Sequence, residues 1–288
     1  MNQGIKLSVL VDNQVRGNLC QEHGFAVWIS MGDQRILLDT GAGGALFPNA
    51  RQLDVDLAQA TALVLSHGHY DHSGGIAEFL ALNAQAKVFM AAGAELERYS
   101  CHPDKPVRYI GMCQPEVDAL AALPVERQRV LNAPRLLDNR IGLTGPIPRQ
   151  TGFEDVGGPF YRDPWQLEAD AIADDQALWI ETLAGLVIVV GCCHAGLVNT
   201  VEYIRSVTGE RRVRGIVGGL HLLQAGPERM AQTLLALQAW APDFVIPCHC
   251  TGEAAVAQLI AELGADKVLP GYAGMNFRLD GKSLHLDF

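Results

Sequence analysis

The strongest constraint on this chain is one ten-residue stretch, Ser66-His67-Gly68-His69-Tyr70-Asp71-His72-Ser73-Gly74-Gly75. Ala62 to Leu65 lead into it and read as a buried strand, with Ser66 at its end. Ile76, Phe79, Leu80 and Asn83 follow at a spacing that predicts one face of a helix. Three imidazoles and a carboxylate therefore occupy a turn between a strand and a helix. These are borderline and hard donors, a set suited to Zn(II), Fe(II) or Mn(II). Alternate positions in an extended turn face one way, so His67 and His69 can hold one ion. Asp71 and His72 lie past the bend and can hold a second. Gly68, Gly74 and Gly75 let the backbone turn tightly around such a centre. A solvent-exposed histidine loop is the plain alternative, but it leaves the preceding buried strand unexplained.

Length and charge narrow the classes that this loop can serve. At 288 residues and 49% apolar content, the chain can bury a substantial core. Its formal charge of −10 argues against nucleic acid, which needs a basic face to displace counterions, and against anionic membrane surfaces. The stretch Met1-Asn2-Gln3-Gly4-Ile5-Lys6 has no basic n-region and no long apolar run, so no secretory leader is expected. No apolar run is long enough to span a bilayer. Seven cysteines, an odd number in a chain without an export signal, predict reduced thiols and a cytoplasmic protein.

Read in order, Ile5 to Val11 alternate as a strand, and Phe25 to Ile29 form a second. Gly32-Asp33 marks a hairpin turn, and Arg35 to Leu38 return into Asp39-Thr40-Gly41. Residues 45–60 predict one helix or two short ones, and Val88 to Met90 a short strand. From about 95 to 170 prolines crowd in and hydrophobic periodicity fades, which predicts a loop-rich insertion covering the site. Ala177 to Thr182 and Leu186 to Val190 then read as a hairpin around Ala184-Gly185. Gly191-Cys192-Cys193-His194-Ala195-Gly196 follows, and a helix with Leu197, Val198, Val201 and Ile204 on one face. Buried strand, histidine turn, glycine and amphipathic helix thus occur twice, which predicts two pseudo-repeated halves. No low-complexity linker interrupts them, so residues 1–288 are expected to form a single domain.

Two more strands end the same way. Arg212 to Val217 run into Gly218-Gly219-Leu220-His221-Leu222, and Asp243 to Ile246 run into Pro247-Cys248-His249-Cys250-Thr251-Gly252. Strand ends along one sheet edge are where sites are built in α/β folds. A lone strand-end histidine is usually a hydrogen-bonded core residue. His194, His221 and His249 together, in a chain that already carries His67 to His72, point to further ligands. Cys192-Cys193 and Cys248-x-Cys250 flank two of them, but Cys-x-Cys is tighter than the usual zinc-knuckle spacing. Buried packing or support of the histidines is the expectation for these cysteines.

The pattern His-x-His-x-Asp-His is that of the metallo-β-lactamase superfamily, which this chain resembles. The resemblance implies an α/β fold, a four-layer αββα sandwich with a one- or two-metal site along its edge. It implies that His67, His69, Asp71, His72, His194 and His249 are metal ligands, and that Asp39 supports the metal loop from behind. His221 stands where the superfamily usually has a bridging acid. With His221 as a ligand, Asp71 is the only protein anion among them. Two divalent ions and a bridging hydroxide then leave the centre near +2, so it should be a strong Lewis acid that favours phosphate or carboxylate ligands. The same shortage of anions weakens the hold on a second ion.

Further segments are similar to one branch of that superfamily, the metal-dependent hydrolases named for 7,8-dihydropterin-6-methyl-4-(β-D-ribofuranosyl)-aminobenzene-5′-phosphate synthase. They are Leu10 to Asn13, Glu22-His23-Gly24, Leu65 to Gly75, Thr144 to Arg149, Asp174 to Leu178, Gly191 to Asn199, Gly218 to Leu222 and Pro247 to Gly252. The expected function is metal-dependent hydrolysis or transfer on an anionic small molecule, with a pterin diphosphate as one candidate. One or two divalent ions serve it, Zn(II) foremost, and Asp71 is the catalytic carboxylate. His23 and Arg149 are weak candidates for substrate contact, as is Glu154 by position alone. Self-association into a homo-oligomer is compatible with the sequence. A catalytically silent metal- or ligand-binding sensor on the same scaffold is the alternative from another class.

Overall fold

The apolar stretches become strands and helices in the computed structural model of the chain, which describes residues 4–287. Met1 to Gln3, part of the stretch that reads as lacking a leader, lie outside the described residues. Strands β1 (Ile5–Val11), β2 (Ala26–Met31) and β3 (Gln34–Leu38) come first, with Gly32 at φ 58° in the turn between β2 and β3. Of the one helix or two short ones expected over 45–60, the chain forms two, helix α1 (Leu46–Gln52) and a single 3-10 turn at Leu57–Gln59. Strand β4 (Ala62–Val64) then leads into the histidine loop. That loop is partly helical: α2 (Tyr70–Ser73) is one turn inside it, before α3 (Ile76–Leu82) and β5 (Lys87–Ala91).

The proline-rich segment holds more structure than its fading periodicity predicts. It contains β6 (Tyr99–Ser100), β7 (Arg108–Tyr109), α4 (Gln114–Ala121), β8 (Gln128–Leu131), β9 (Arg135–Leu136), β10 (Ile141–Leu143) and β11 (Phe160–Tyr161). Pro115 sits in the first turn of α4, where no backbone N–H is required. Strands of two to four residues are too short to carry a readable alternation. The remainder runs β12 (Ala177–Thr182), β13 (Gly185–Val190), α5 (Leu197–Thr208), β14 (Val213–Gly219), α6 (Pro227–Trp240), β15 (Phe244–Cys248) and α7 (Glu253–Leu263). It closes with a hairpin, β16 (Asn276–Asp280) and β17 (Ser283–Asp287).

The chain divides into two compact units. The first comprises the described residues up to Glu97, Ile110–Leu131, and those from Gly271 onward. Its eight-stranded sheet has the order β17-β16-β1-β2-β3-β4-β5-β8. Pairing is antiparallel from β17 to β3 and parallel from β3 to β8. Trp28, Leu37, Leu63 and Val88 from the sheet pack with Leu46 and Ala50 of α1, Ile76 and Phe79 of α3, and Leu120 of α4. The all-apolar run of β4 is buried throughout, as suits an interior parallel strand. Asn83 ends α3 and donates to the carbonyls of Leu57, Ala58 and Ala60, which fastens the 3-10 turn to it.

The second unit comprises Arg98–Tyr109 and Asn132–Pro270. Its six-stranded sheet, β15-β14-β13-β12-β10-β9, is parallel across β13, β14 and β15 and antiparallel beyond. Trp179, Ile188 and Ile216 pack with Val201 and Ile204 of α5, Leu237 of α6 and Leu259 of α7. A three-stranded sheet, β11-β6-β7, accompanies it. Buried Arg98, just before β6, pairs with Asp170 at 3.3 Å and with Asp174. In each unit the parallel strands end on the residues singled out from the sequence. Asp39 follows β3, His67 follows β4, and His194, His221 and His249 follow β13, β14 and β15. Among the described residues, no helix is long and apolar enough to cross a membrane.

Candidate metal centre

In the first unit, the buried carboxylate of Asp39 organises the histidine loop. It accepts the Ser66 N–H and the Ser66 hydroxyl, both at 2.7 Å, and the His72 Nδ1–H at 2.7 Å. Because Ser66 gives its proton to Asp39, its oxygen is left to accept from His67 Nδ1 at 2.9 Å. The network thus assigns the Nδ1–H tautomer to both His67 and His72 and makes Nε2 the basic nitrogen of each. His67 Nε2 lies 2.9 Å from His69 Nδ1. Two imidazole nitrogens on one tetrahedral zinc, each at about 2.0–2.1 Å, sit roughly 3.3 Å apart. The pair is therefore already converged to within a few tenths of an ångström of that spacing. The His67 and His72 rings follow at a centroid distance of 4.3 Å. Gly68 is required for more than its turn: a Cβ there would lie 1.6 Å from the Ala94 carbonyl oxygen.

Asp71 stands in the single turn of α2, with its carboxylate 3.2 Å from His23 Nε2. His23 Nδ1 in turn meets the Asn13 amide at 3.2 Å, and Asn13 Oδ1 accepts the Gly24 N–H. The Glu22 to Gly24 segment therefore meets Asp71 through His23, and Asn13 of the Leu10 to Asn13 segment braces His23 from behind. Thr40 anchors the loop from the other side, since its N–H and hydroxyl both reach the His72 carbonyl, at 2.8 and 3.0 Å.

In the second unit, the His194 turn is braced by groups that the sequence left weakly assigned. His194 Nδ1 donates to the Val156 carbonyl at 2.8 Å, which again makes Nε2 the basic nitrogen. Arg149 donates to the His194 carbonyl at 2.6 Å and to the Ala171 carbonyl at 3.0 Å. Burial lowers the Arg149 pKa, and the nearby Asp175 carboxylate opposes that. Glu154 is buried and caps α5, accepting the N–H groups of Val198 at 2.7 Å and Asn199 at 2.9 Å. Asp175 accepts the Ala195 N–H at 2.7 Å. Burial pushes its pKa up to about 7, against that hydrogen bond and with help from neighbouring Asp174. Asp175 lies in the Asp174 to Leu178 segment similar to the pterin-related branch, but nothing in that segment marks its contact with the His194 turn.

The His221 ring lies 4.2 Å from that of His194, and its Nε2 is 3.3 Å from the Gly157 carbonyl. His249 opens a 3-10 turn, and Thr251 in that turn accepts the Leu220 N–H, tying the two loops together. The cysteines divide. Cys193 packs against Thr200 at 3.4 Å, and burial pushes its thiol up, as expected of a packing residue. Cys192 and Cys250 instead gather with His221, their donor atoms all within 4.8 Å of one another. Burial alone would raise the Cys250 pKa, but contacts with Cys192, His221 and His249 bring it well below the usual thiol range.

Asp39, Cys193, His221 and His249 all sit in the left-handed region, at φ 61°, 57°, 48° and 46°. Such conformations cost about 1–3 kcal/mol in non-glycine residues and concentrate at functional sites. Here they fall just after the ends of parallel strands, Asp39 in the first unit and the other three in the second. Paired imidazole nitrogens, buried carboxylates and second nitrogens fixed by oxygen acceptors make a donor set that fits a divalent metal ion.

A family model described as the metallo-beta-lactamase superfamily matches residues 21–94. A solved structure, described as a metal-dependent hydrolase of the β-lactamase superfamily, matches with a TM-score of 0.79 and 28% identity, over 96% of this chain and 99% of that one. The chain has the metallo-β-lactamase fold. A metallo-β-lactamase fold protein from Bacillus subtilis also matches, with a TM-score of 0.55 at 11% identity, over 96% of this chain and 100% of that one, and speaks for the fold alone. Two proteins of Methanocaldococcus jannaschii are similar in sequence. One is uncharacterized, 28% identical over 88% of this chain and 93% of its own length. The other is 7,8-dihydropterin-6-methyl-4-(beta-D-ribofuranosyl)-aminobenzene-5′-phosphate synthase, 26% identical over 91% of this chain and 92% of its own length. The resemblance drawn from His67 to His72, and the more distant one to the pterin-related branch, are both borne out. The match to the metallo-β-lactamase family model covers Asp39 and the histidine loop but ends before His194, His221 and His249.

Proposed function

We propose that the protein is a metal-dependent hydrolase acting on an anionic small molecule that bears phosphate or carboxylate. The observation that carries this reading is the convergence of His67 Nε2 and His69 Nδ1 at 2.9 Å, with Asp39 and Ser66 occupying the opposite nitrogens of His72 and His67. His67, His69, Asp71, His72, His194, His221 and His249 are the proposed ligands, for one or two ions with Zn(II) foremost. An ion held by them would supply Lewis-acid chemistry, activating a water and stabilising charge on the attacked oxygen. Asp39 and Ser66 hold the rings of His72 and His67 in orientation through their Nδ1 atoms. Asp71 orients the attacking water. His23, whose side chain is 59% exposed, carries a proton between Asp71 and solvent and meets the substrate. Similarity to a pterin-related synthase makes a pterin diphosphate one candidate substrate, with transfer in place of hydrolysis.

The test is metal content of the purified protein together with a screen of phosphoesters, lactones and thioesters. His69→Ala and Asp71→Ala should abolish turnover while the protein stays folded by circular dichroism. Undiminished turnover by either variant overturns the mechanism. Stoichiometric metal without turnover on any of these classes would replace the enzyme with a sensor.

A further inference from the structure

The geometry points to a thiolate-ligated ion in the second unit, held by Cys192, His221 and Cys250. This deepens the proposed function and rests on its premise that a divalent ion binds. Sequence spacing alone assigns these cysteines to packing, because Cys-x-Cys is too tight for a knuckle. The fold sidesteps that objection, since the two sulfurs come from different strand ends, Cys192 after β13 and Cys250 after β15, with His221 after β14 between them. Their donor atoms lie within 4.8 Å of one another. Around a tetrahedral zinc, with Zn–S of about 2.3 Å and Zn–N of about 2.0–2.1 Å, such donors stand roughly 3.5–3.8 Å apart. Small rotations of three side chains close that difference.

Two further features support the cluster. Space for the Cys250 sulfur depends on Gly219, where a Cβ would sit 2.6 Å from it. His221 is turned toward the cysteines by a left-handed backbone at φ 48°, and its ring is backed so closely by Gly157 that a Cβ there would lie 1.9 Å away. The ligand set also resolves a problem of charge. Histidine at 221 in place of an acid leaves Asp71 as the only carboxylate among the proposed ligands. Two thiolates neutralise the ion they hold and remove the shortage of anions that would otherwise loosen it. Soft sulfur ligands also select zinc or Fe(II) over Mn(II) and Mg(II), which prefer oxygen.

X-ray absorption of the zinc-loaded full-length protein should reveal a sulfur shell at about 2.3 Å beside the lighter shell at about 2.0–2.1 Å. Cobalt-substituted protein should carry thiolate-to-cobalt charge-transfer absorption in the near ultraviolet. That band should weaken in Cys192→Ser and in Cys250→Ser, vanish in the double variant, and persist in Cys113→Ser, whose cysteine lies in the other unit. Bound zinc with only nitrogen and oxygen neighbours overturns this inference and leaves the proposed function standing. Protein that takes up no ion overturns both. The absorption measurement on unaltered protein decides the question even where a serine variant does not fold.

Discussion

The Asp39 carboxylate lies 2.7 Å from His72 Nδ1 while also receiving the N–H and O–H of Ser66. Three donors on one buried anion leave no room for an amide, whose NH₂ would face another donor. Asp39→Asn should therefore turn the His72 ring and release Ser66 from its role toward His67. Partners of this kind typically contribute 10–100-fold in metal affinity. Competition with a chelator should show zinc affinity weakened by about that factor, with His69 and Asp71 untouched. Unchanged affinity would mean that the network serves the fold alone.

His23 offers a different separation. It touches Asp71 at 3.2 Å and is largely exposed, so its loss should spare both fold and metal. His23→Ala is expected to keep its full metal content and lower kcat/KM by roughly 10²–10⁴-fold, the usual range for a positioned acid–base group. A flattened pH profile in the same variant would tie the loss to proton transfer. An effect on KM alone would recast His23 as a substrate contact.

The loop from Ser66 to Gly75 was legible because a ligand pattern is local: four donors within six residues need no tertiary information. His194, His221 and His249 were legible by repetition, each standing at the end of an apolar strand. Asp175, Glu154 and Arg149 were not legible in the same way. Their partners are backbone groups of the His194 turn and α5, up to 45 residues away in sequence, and nothing local marks such a contact. The gathering of Cys192 with Cys250 depends likewise on the parallel order of β13, β14 and β15, which spacing along the chain cannot convey. Short strands of the proline-rich segment stayed hidden because two residues cannot alternate.

Arg98 tests how the second unit holds together. Its guanidinium is buried and shared between Asp170 and Asp174. Arg98→Leu takes the guanidinium from Asp174 and leaves Asp170 with Arg162 at 3.7 Å, and breaking a buried pair in this way costs about 3–5 kcal/mol. Urea unfolding should show a loss of that size. Arg98→Leu combined with Asp170→Asn and Asp174→Asn should recover part of it, because the two carboxylates that faced Arg98 then carry no charge. A single variant as stable as the parent would show that the cluster is open to water.

Asp175 makes stability depend on pH in the opposite sense to most carboxylates. Its pKa is raised from 3.8 to about 7 by burial, so the folded protein keeps this proton well after the unfolded chain has lost it. Between those two values the folded state binds more protons, and stability falls as pH rises. Asp175→Asn carries no titrating proton and can still accept the Ala195 N–H through its carbonyl oxygen. The difference in unfolding free energy, variant minus parent, should therefore grow by a few kcal/mol as pH is raised from about 4 to about 7, and stay level above that. Urea midpoints of the metal-free proteins across that range measure it. The metal-free form is the right one, because an ion bound near His194 would add its own field to that of Arg149. A difference that stays constant with pH would place the Asp175 carboxylate in water, and with it the loop that carries His194.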